Sequence, residues 1–341
     1  MASHVGIVGT GLIGASIGLA LGQVGWKRTG WDPDADALAT ARICGAIDDV
    51  ATSPQSVADA NPSILVLAAP PHAIQELVRD LTTDVLVMDV ASVKAPILAA
   101  STLARFVGSH PMAGREVSGP DAATPALFRG AAWVVTTDGA SSDDLAEVGA
   151  LVEAVGARVV SMTAADHDRA VGTVSHLPHV IASALMDMVA GDELSLGLAA
   201  GSFRDLTRVA GSSPEFWKEV LAANSDVLVQ TVSAFRDRLD ELLDIIVTGD
   251  VDAISDRLSQ AQQSRRKLGA PVAAIRVALA DRPGELARVG QAFQRSSADI
   301  RDIQMRHAPY GGGGILTVSV NVDDAAVMTE ALVAEGLYLV D

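Results

Sequence analysis

The chain has 341 residues, nearly half of them apolar and a fifth charged, which is the balance of a folded globular protein with room for two or three domains. Its formal net charge of −17 excludes the clustered positive charge with which nucleic-acid or anionic-membrane binding begins, and allows a small anionic substrate only where a few arginines converge. The single cysteine, Cys44, rules out an internal disulfide and a multi-cysteine metal site, and it reads as a small buried hydrophobe.

The N-terminal "MASHVGIVGTG" has neither a basic leader nor a small-residue cleavage site, and the apolar run "ILVLAAPP" is far shorter than the ~20 residues that span a bilayer. The expectation is a cytoplasmic protein with no membrane or nucleic-acid partner. From Val5 the pattern is a short apolar strand, a glycine turn, a helical run "LIGASIGLALGQVG" and a second strand ending at "GWDPD". Further strands follow at "SILVLAAP", "DVLVMDVAS", "AAWVVTTD" and "ARVVSMT", separated by helical segments, which predicts a parallel sheet covered on both faces.

Within this region "GTGLIG" satisfies G-x-G-x-x-G in the context the motif requires, after a strand and at the start of a helix. Gly9 permits the tight turn, Gly11 lets a pyrophosphate approach the backbone and Gly14 allows close helix packing, with Thr10, Leu12 and Ile13 completing the cradle. Asp32, eighteen residues after Gly14, ends the second strand, where its carboxylate suits a ribose diol and repels a 2′-phosphate. The cofactor expected is NAD, with NADP as second choice because Lys27 and Arg28 lie nearby.

Chemistry is then expected at the strand ends, where "VMDVASVK" delivers Ser92 and "FVGSHP" delivers His110. Pro111 holds His110 extended, while Gly108 and Gly114 let the loop bend around a ligand. An imidazole titrates near neutrality and can take the proton of an alcohol whose carbon gives up hydride, so His110 is the candidate base and Ser92 its partner.

After Asp166 the strands give way to helical periodicity. "VSHLPHVIASAL" places His176 and His179 three apart, and "GSFRDLTRVAGSSPEFW" places Arg204 and Arg208 four apart, each pair on one helical face. The arginines suit a carboxylate; Arg204 equally fits a surface pair with Asp205 or Glu215. No acidic ligand has metal-site spacing with the histidines, so no metal is expected. Leu228, Val232, Phe235, Leu239, Leu242 and Ile246 line one face of a long helix, capped by Asn224 or Ser225 and ended by Gly249, and a homodimer would bury that face.

A basic linker, "SRRKLGAP", precedes an order of strand, helix, strand, strand, helix, strand, that of a ferredoxin-like unit, with Gly311 to Gly314 as the turn between its middle strands. The fold class expected is an α/β Rossmann-type domain over residues 1–165, an all-α dimerisation domain over 166–268, and a small α+β ferredoxin-like domain over 270–341.

Taken together, "GTGLIG", "DVASVK", "SHPMAGREVSG", "SHLPH" and "FRDLTRVAGSSPEFW" resemble the prephenate/arogenate dehydrogenase family, over residues from about Val5 to about Lys267. The resemblance implies oxidative decarboxylation in tyrosine biosynthesis, with His110 accepting the hydrogen bond of the substrate's ring hydroxyl and Ser92 assisting. It further implies that Arg208 binds the ring carboxylate and that Glu116, His176, His179, Arg204, Ser212 and Trp217 line or close the pocket. The family often has lysine where Arg204 stands. The C-terminal segment resembles an ACT domain, a small regulatory module, through "LADRPGELARV"; an aromatic amino-acid effector would meet Asp281, Pro283, Gly284, Glu285 and Leu286. Prephenate is the expected substrate, arogenate the alternative, and an NAD- and amino-acid-sensing protein without turnover the non-enzymatic rival.

Overall fold

The structure is a computed structural model that describes residues 3–114, 117–268, 272–307 and 313–340. Two of the positions singled out above, Glu116 and the first half of the Gly311–Gly314 turn, lie outside the described residues. The chain divides into two compact units, Met1–Arg238 and Leu239–Asp341.

In the first unit β1 (His4–Val8), β2 (Lys27–Trp31), β3 (Asp49–Val50), β4 (Ile64–Leu67), β5 (Leu86–Asp89) and β6 (Phe106–Val107) form a parallel sheet in the order β3-β2-β1-β4-β5-β6. Because successive side chains face opposite sides, Ile64 and Val66 of β4 enter one apolar cluster with Ile17 and Leu21, while Leu65 and Leu67 enter another with Ile74 and Val78. Both faces are therefore buried, and the near-continuous apolar runs follow from that. The chain order reverses between β1 and β4, which opens a crevice at their C-terminal ends.

Three later strands leave this sheet. β7 (Ser109–Pro111), β8 (Ala132–Thr136) and β9 (Arg158–Met162) form a second sheet in which β7 runs antiparallel to β8. This corrects the expectation of a single parallel sheet, and it also corrects the loop: His110 lies on β7, opposite Val134. The hinge between β6 and β7 is Gly108, where a Cβ would stand 2.8 Å from Thr136 Oγ1 and 3.4 Å from Lys94 Cδ, so the glycine serves backbone packing.

Helices follow, from Ala164–Val171 through Leu177–Val189, Gly201–Thr207 and Pro214–Ala223 to the 24-residue Ser225–Thr248. A single π turn, Gly172–His176, precedes Leu177–Val189; Pro178 has no amide to give the carbonyl four residues back, and the helix widens just before it. Gly172 lets the long helix come close, since a Cβ there would lie 2.9 Å from Val227 Cγ1. Asn224 does not cap the long helix with its side chain, whose amide bonds elsewhere; Gly249, with φ of +67°, follows its end as expected. Cys44 is exposed at the end of the helix Ala35–Ile43 rather than buried, its Sγ 3.4 Å from the Ala41 carbonyl. Among the described residues no helix is long and apolar enough to cross a membrane.

In the second unit the linker read at "SRRKLGAP" is helical through Arg265 and continues as a 3-10 turn over Arg266–Leu268. β10 (Val272–Leu279), the helix Glu285–Ser296, β11 (Ile300–His307), β12 (Gly314–Asn321), the helix Ala325–Ala334 and β13 (Tyr338–Val340) follow in the expected order, in an antiparallel sheet arranged β11-β12-β10-β13. Val277, Leu316 and Val318 meet Val289, Ala292 and Leu332 in its core.

Candidate active site

The glycine turn has the shape that dinucleotide binding needs. Gly9 has a φ of +95°, and a Cβ there would lie 2.3 Å from the Ala68 carbonyl oxygen of the neighbouring strand's end. A Cβ on Gly14 would lie 1.9 Å from the Gly9 oxygen, whereas one on Gly11 would meet nothing within 4 Å. Gly9 and Gly14 are thus required by packing and Gly11 faces open space. Gly11 is also the N-cap of the helix Leu12–Gln23, with no side-chain hydrogen bond capping it, so the first helical amides point outward. Asp32 stands just past β2; its Oδ2 accepts the Thr10 amide at 2.6 Å and its Oδ1 accepts the Asp34 amide at 2.9 Å. These bonds fix the carboxylate at the lip of the turn. Arg28 is turned away, donating to Asp48 and to the Gly45 carbonyl at 2.9 Å, and Lys27 pairs with Asp49 at 3.0 Å.

The turn after β5 and the start of β7 are joined by buried charge. Lys94 Nζ donates to Asp89 Oδ2 and, at 2.6 Å, to the Ser109 carbonyl; Asp89 also accepts the Ala91 amide at 3.0 Å and the Ser109 amide at 3.2 Å. Both groups are fully buried, so desolvation pushes the Asp89 carboxyl up and the Lys94 ammonium down, each opposed by the other's charge. The pair ties the turn that carries Ser92, itself half-buried, to the strand that carries His110.

His110 Nδ1 lies 2.9 Å from Nε2 of His167, and His167 Nδ1 lies 2.8 Å from Asp168 Oδ1. Asp168 in turn accepts the amides of Lys94 and Ala95, each at 2.8 Å. Burial, reinforced by the neighbouring His167, Lys94 and His176, holds the His110 pKa well below the ordinary imidazole value, so the ring is neutral at physiological pH.

His176, His179 and Trp217 come together from the π turn, the helix after it and the helix Pro214–Ala223. The His179 and Trp217 rings stack with centroids 3.4 Å apart and planes 30° apart, and His176 meets the indole edge at 6.0 Å. Trp217 is set by its own helix, whose Val220 packs into the second apolar cluster of the sheet. Asn224 Nδ2 donates to the Asp168 carbonyl at 3.0 Å, which fixes the amide's orientation, and faces His176 Nδ1 at 3.1 Å. His176 Nδ1 is therefore the acceptor, and its proton sits on Nε2. Burial lowers the His176 pKa to about 4, and burial together with the Arg208 guanidinium lowers that of His179.

The helix that carries Arg204 ends at Thr207; Arg208 is its C-cap, still in the right-handed helical conformation, and opens a 3-10 turn, Arg208–Gly211, with Ser212 at its end. Both are exposed; Arg204 Nε donates to the Ala199 carbonyl at 3.2 Å, and Glu215 pairs with Lys218. A separate cavity of about 740 Å³ shares Asp168 and Asn224 with this network but holds none of the cofactor or pocket residues named above; Phe235 and Arg238 of the long helix line it. At the C-terminal turn Asp281, Pro283, Gly284 and Leu286 are exposed, while Glu285 is buried and accepts from Arg282 Nε at 2.5 Å and Arg288 NH1 at 3.3 Å.

Sequence reasoning missed Asp89, Lys94, His167, Asp168 and Asn224. One signal was available. Ala164, His167, Asp168 and Val171 are the buried residues of their helix, spaced as an apolar stripe is spaced, so a histidine and an aspartate stood where the pattern asks for core.

Comparison with known proteins gives the chain's family. The prephenate dehydrogenase nucleotide-binding domain matches residues 17–161 and the prephenate dehydrogenase dimerization domain matches residues 163–260. A prephenate dehydrogenase of Lactococcus lactis is 32% identical over 280 residues, 77% of this chain and 76% of that protein. A cyclohexadienyl dehydrogenase of Zymomonas mobilis is 32% identical over 78% of this chain and 96% of its own. Among solved structures, prephenate dehydrogenase from A. aeolicus in complex with hydroxyphenyl propionate and NAD+ superimposes with a TM-score of 0.72 at 30% identity, over 79% of this chain and 99% of that one. Arogenate dehydrogenase from Synechocystis does so with a TM-score of 0.68 at 30% identity, over 78% and 100%. By sequence and by fold, the chain belongs to the prephenate dehydrogenase family of NAD-dependent oxidoreductases.

Proposed function

We propose that this chain oxidatively decarboxylates prephenate to 4-hydroxyphenylpyruvate with NAD, using His110 as the base. The observation that carries the reading is His110 itself, a neutral, half-buried imidazole tied through Nδ1 to His167. The residues of the glycine turn fit the dinucleotide: Gly9 and Gly14 make the tight turn, Gly11 faces open space where a pyrophosphate would approach, Thr10, Leu12 and Ile13 complete the cradle, and Asp32 is fixed where a ribose diol would meet it. When bound there, NAD accepts the hydride from the ring carbon that bears the hydroxyl. NAD is favoured over NADP because Arg28 is engaged with Asp48 and so is not turned towards a 2′-phosphate.

His110 Nε2 takes the hydroxyl proton as the hydride departs, leaving a ring ketone. The ring carboxylate then leaves as carbon dioxide, its bonding electrons aromatise the ring, and the proton held on His110 returns to the phenolate oxygen. Ser92, on the turn held by Asp89 and Lys94, orients the hydroxyl. Arg208 holds the ring carboxylate by charge-assisted hydrogen bonds, and His176, His179, Arg204, Ser212 and Trp217 line or close the pocket. The groups around His179 are an indole, a second imidazole and the Arg208 guanidinium; none carries the negative charge that would offset an ammonium and the guanidinium repels one, which favours the keto acid over arogenate. The rate of reduced-nicotinamide formation with prephenate and arogenate, each under NAD and NADP, tests the reading. Silence with both substrates and both cofactors would defeat it.

The dimer reading is supported by the long helix Ser225–Thr248, which buries none of its residues and exposes Leu239 and Ile246 by 47% and 61%. A monomeric mass in sedimentation at micromolar concentration would remove it. The C-terminal unit is read as an ACT-type effector module on its element order and on the exposed turn at Asp281, Pro283, Gly284 and Leu286. Glu285 would act there from below, by holding Arg282 and Arg288. Failure of tyrosine, phenylalanine and tryptophan to change either rate or melting temperature would count against an effector role.

A further inference from the structure

The hydrogen bonds behind His110 admit one sense of direction if that ring is to act as a base. Asp168 is buried, and its carboxylate receives two backbone amides, from Lys94 to Oδ1 and from Ala95 to Oδ2. A carboxylate only accepts, so the proton on the 2.8 Å contact with His167 belongs to His167 Nδ1. With that proton on Nδ1, neutral His167 has a bare Nε2, which accepts. The group 2.9 Å away is His110 Nδ1, which then donates. His110 Nε2 is left without a proton.

We propose that Asp168 and His167 are positioning residues for the base, a carboxylate–imidazole pair that holds His110 in the tautomer with Nδ1 protonated and Nε2 bare. The inference rests on His110 being the base. The two rings meet edge to face, with centroids 5.1 Å apart and planes 78° apart, so His167 also fixes the rotation of the His110 ring. The pair is itself anchored from three sides: Thr163 caps the helix that carries it, the Lys94 and Ala95 amides hold the carboxylate, and Asn224 holds the Asp168 carbonyl. Other charged and titratable groups facing His110 are Lys94, paired with Asp89, and His176. When His110 takes up the substrate proton, the Asp168 carboxylate is the anion placed to offset the new positive charge through His167. A doubly protonated His167 would do the reverse: its Nε2–H would donate, and His110 would carry its proton on Nε2, where it is useless as a base.

The tautomers can be read directly. In the full-length chain labelled with 15N-histidine, long-range 15N–1H correlations distinguish the protonated from the bare ring nitrogen, and His110→Asn assigns the His110 signals. At neutral pH the expected pattern is His110 and His167 both protonated on Nδ1 alone; a proton on His110 Nε2 overturns the proposal. Kinetics give a second readout. His167→Leu, which leaves the His110 Nδ1–H without an acceptor, is expected to lower kcat by ~100-fold with KM for NAD little changed, whereas His167→Gln, whose carboxamide oxygen can accept that proton, should recover to within about tenfold of wild type. Equal and near-normal kcat in both variants overturns the proposal. If His110→Asn is inactive at the same time, only the positioning role has failed; if His110→Asn also turns over normally, the base assignment itself has failed. Should His167→Leu not fold, the tautomer pattern of the wild-type chain still decides.

Discussion

Two regions serve the same chemistry by opposite means. Behind His110 the polar groups are buried and bonded to one another: Asp89 to Lys94, Asp168 to two amides and to His167, Asn224 to His176. At the rim Arg204 and Arg208 are exposed, on a helix end and a 3-10 turn. A buried network has no slack, because each member that loses its partner leaves a desolvated charge or an unmet hydrogen bond. An exposed guanidinium keeps most of its hydration, so exchanging one polar partner for another there costs far less than it does in the interior. In the proposed reaction the interior fixes where His110 stands, and the rim recognises what it acts on.

The sharpest way to break this contrast is to remove one interior charge. Lys94→Met leaves Asp89 buried and unpaired and is expected to cost about 3–5 kcal/mol of folding stability, measured by denaturant titration; a loss below ~1 kcal/mol would mean the pair is not buried in solution. Arg208→Ala should leave stability within about 0.5 kcal/mol of wild type and instead raise KM for prephenate by ~10–100-fold, the value of a charge-assisted hydrogen bond, with kcat changed much less. A fall in kcat without a change in KM would move Arg208 from recognition to the chemical step.

Acid should separate the two regions as well. In the folded chain the pKa values of His110 and His176 lie below the ordinary imidazole value, so between the two values the unfolded chain binds a proton that the folded chain refuses. The stability this confers is complete above pH ~6.5 and declines as pH falls, by up to about 1.4 kcal/mol per unit for each histidine, until about pH 4 for His176. Folding free energy measured between pH 7 and pH 4.5 should fall accordingly; a flat profile would contradict the desolvation of the two rings. For the same reason the acid limb of kcat/KM should lie below pH 6.5 rather than above it. The smallest effect is expected at Asp32→Asn, which removes the repulsion of a 2′-phosphate but leaves Arg28 bonded to Asp48: the NAD preference should shrink without reversing, as the ratio of kcat/KM values for the two cofactors will report.

What could be read in the sequence is what depends on near neighbours. The turn at Gly9 to Gly14 was legible because its demands are local: positive φ at Gly9, contact between Gly14 and the Gly9 oxygen, and an acid at the end of the next strand. The βαββαβ order of the second unit was legible for the same reason, each strand and helix declaring its own period. His167 and Asp168 were not, because their partners lie 57 and 74 residues away, at His110 and Lys94, and only the fold brings them together. The antiparallel turn of β7 onto β8 depends on Gly108 clearing Thr136, a contact no local pattern records.

The account rests most directly on His110. The measurement that tests it is turnover of prephenate with NAD by the wild-type chain and by His110→Asn, alongside the NAD dissociation constant of each. The account predicts turnover by the wild type, a loss of ~10²–10⁴ in kcat for the variant, and NAD binding that is the same for both. Near-normal turnover by His110→Asn would contradict it, as would a wild-type chain that binds NAD and leaves prephenate untouched.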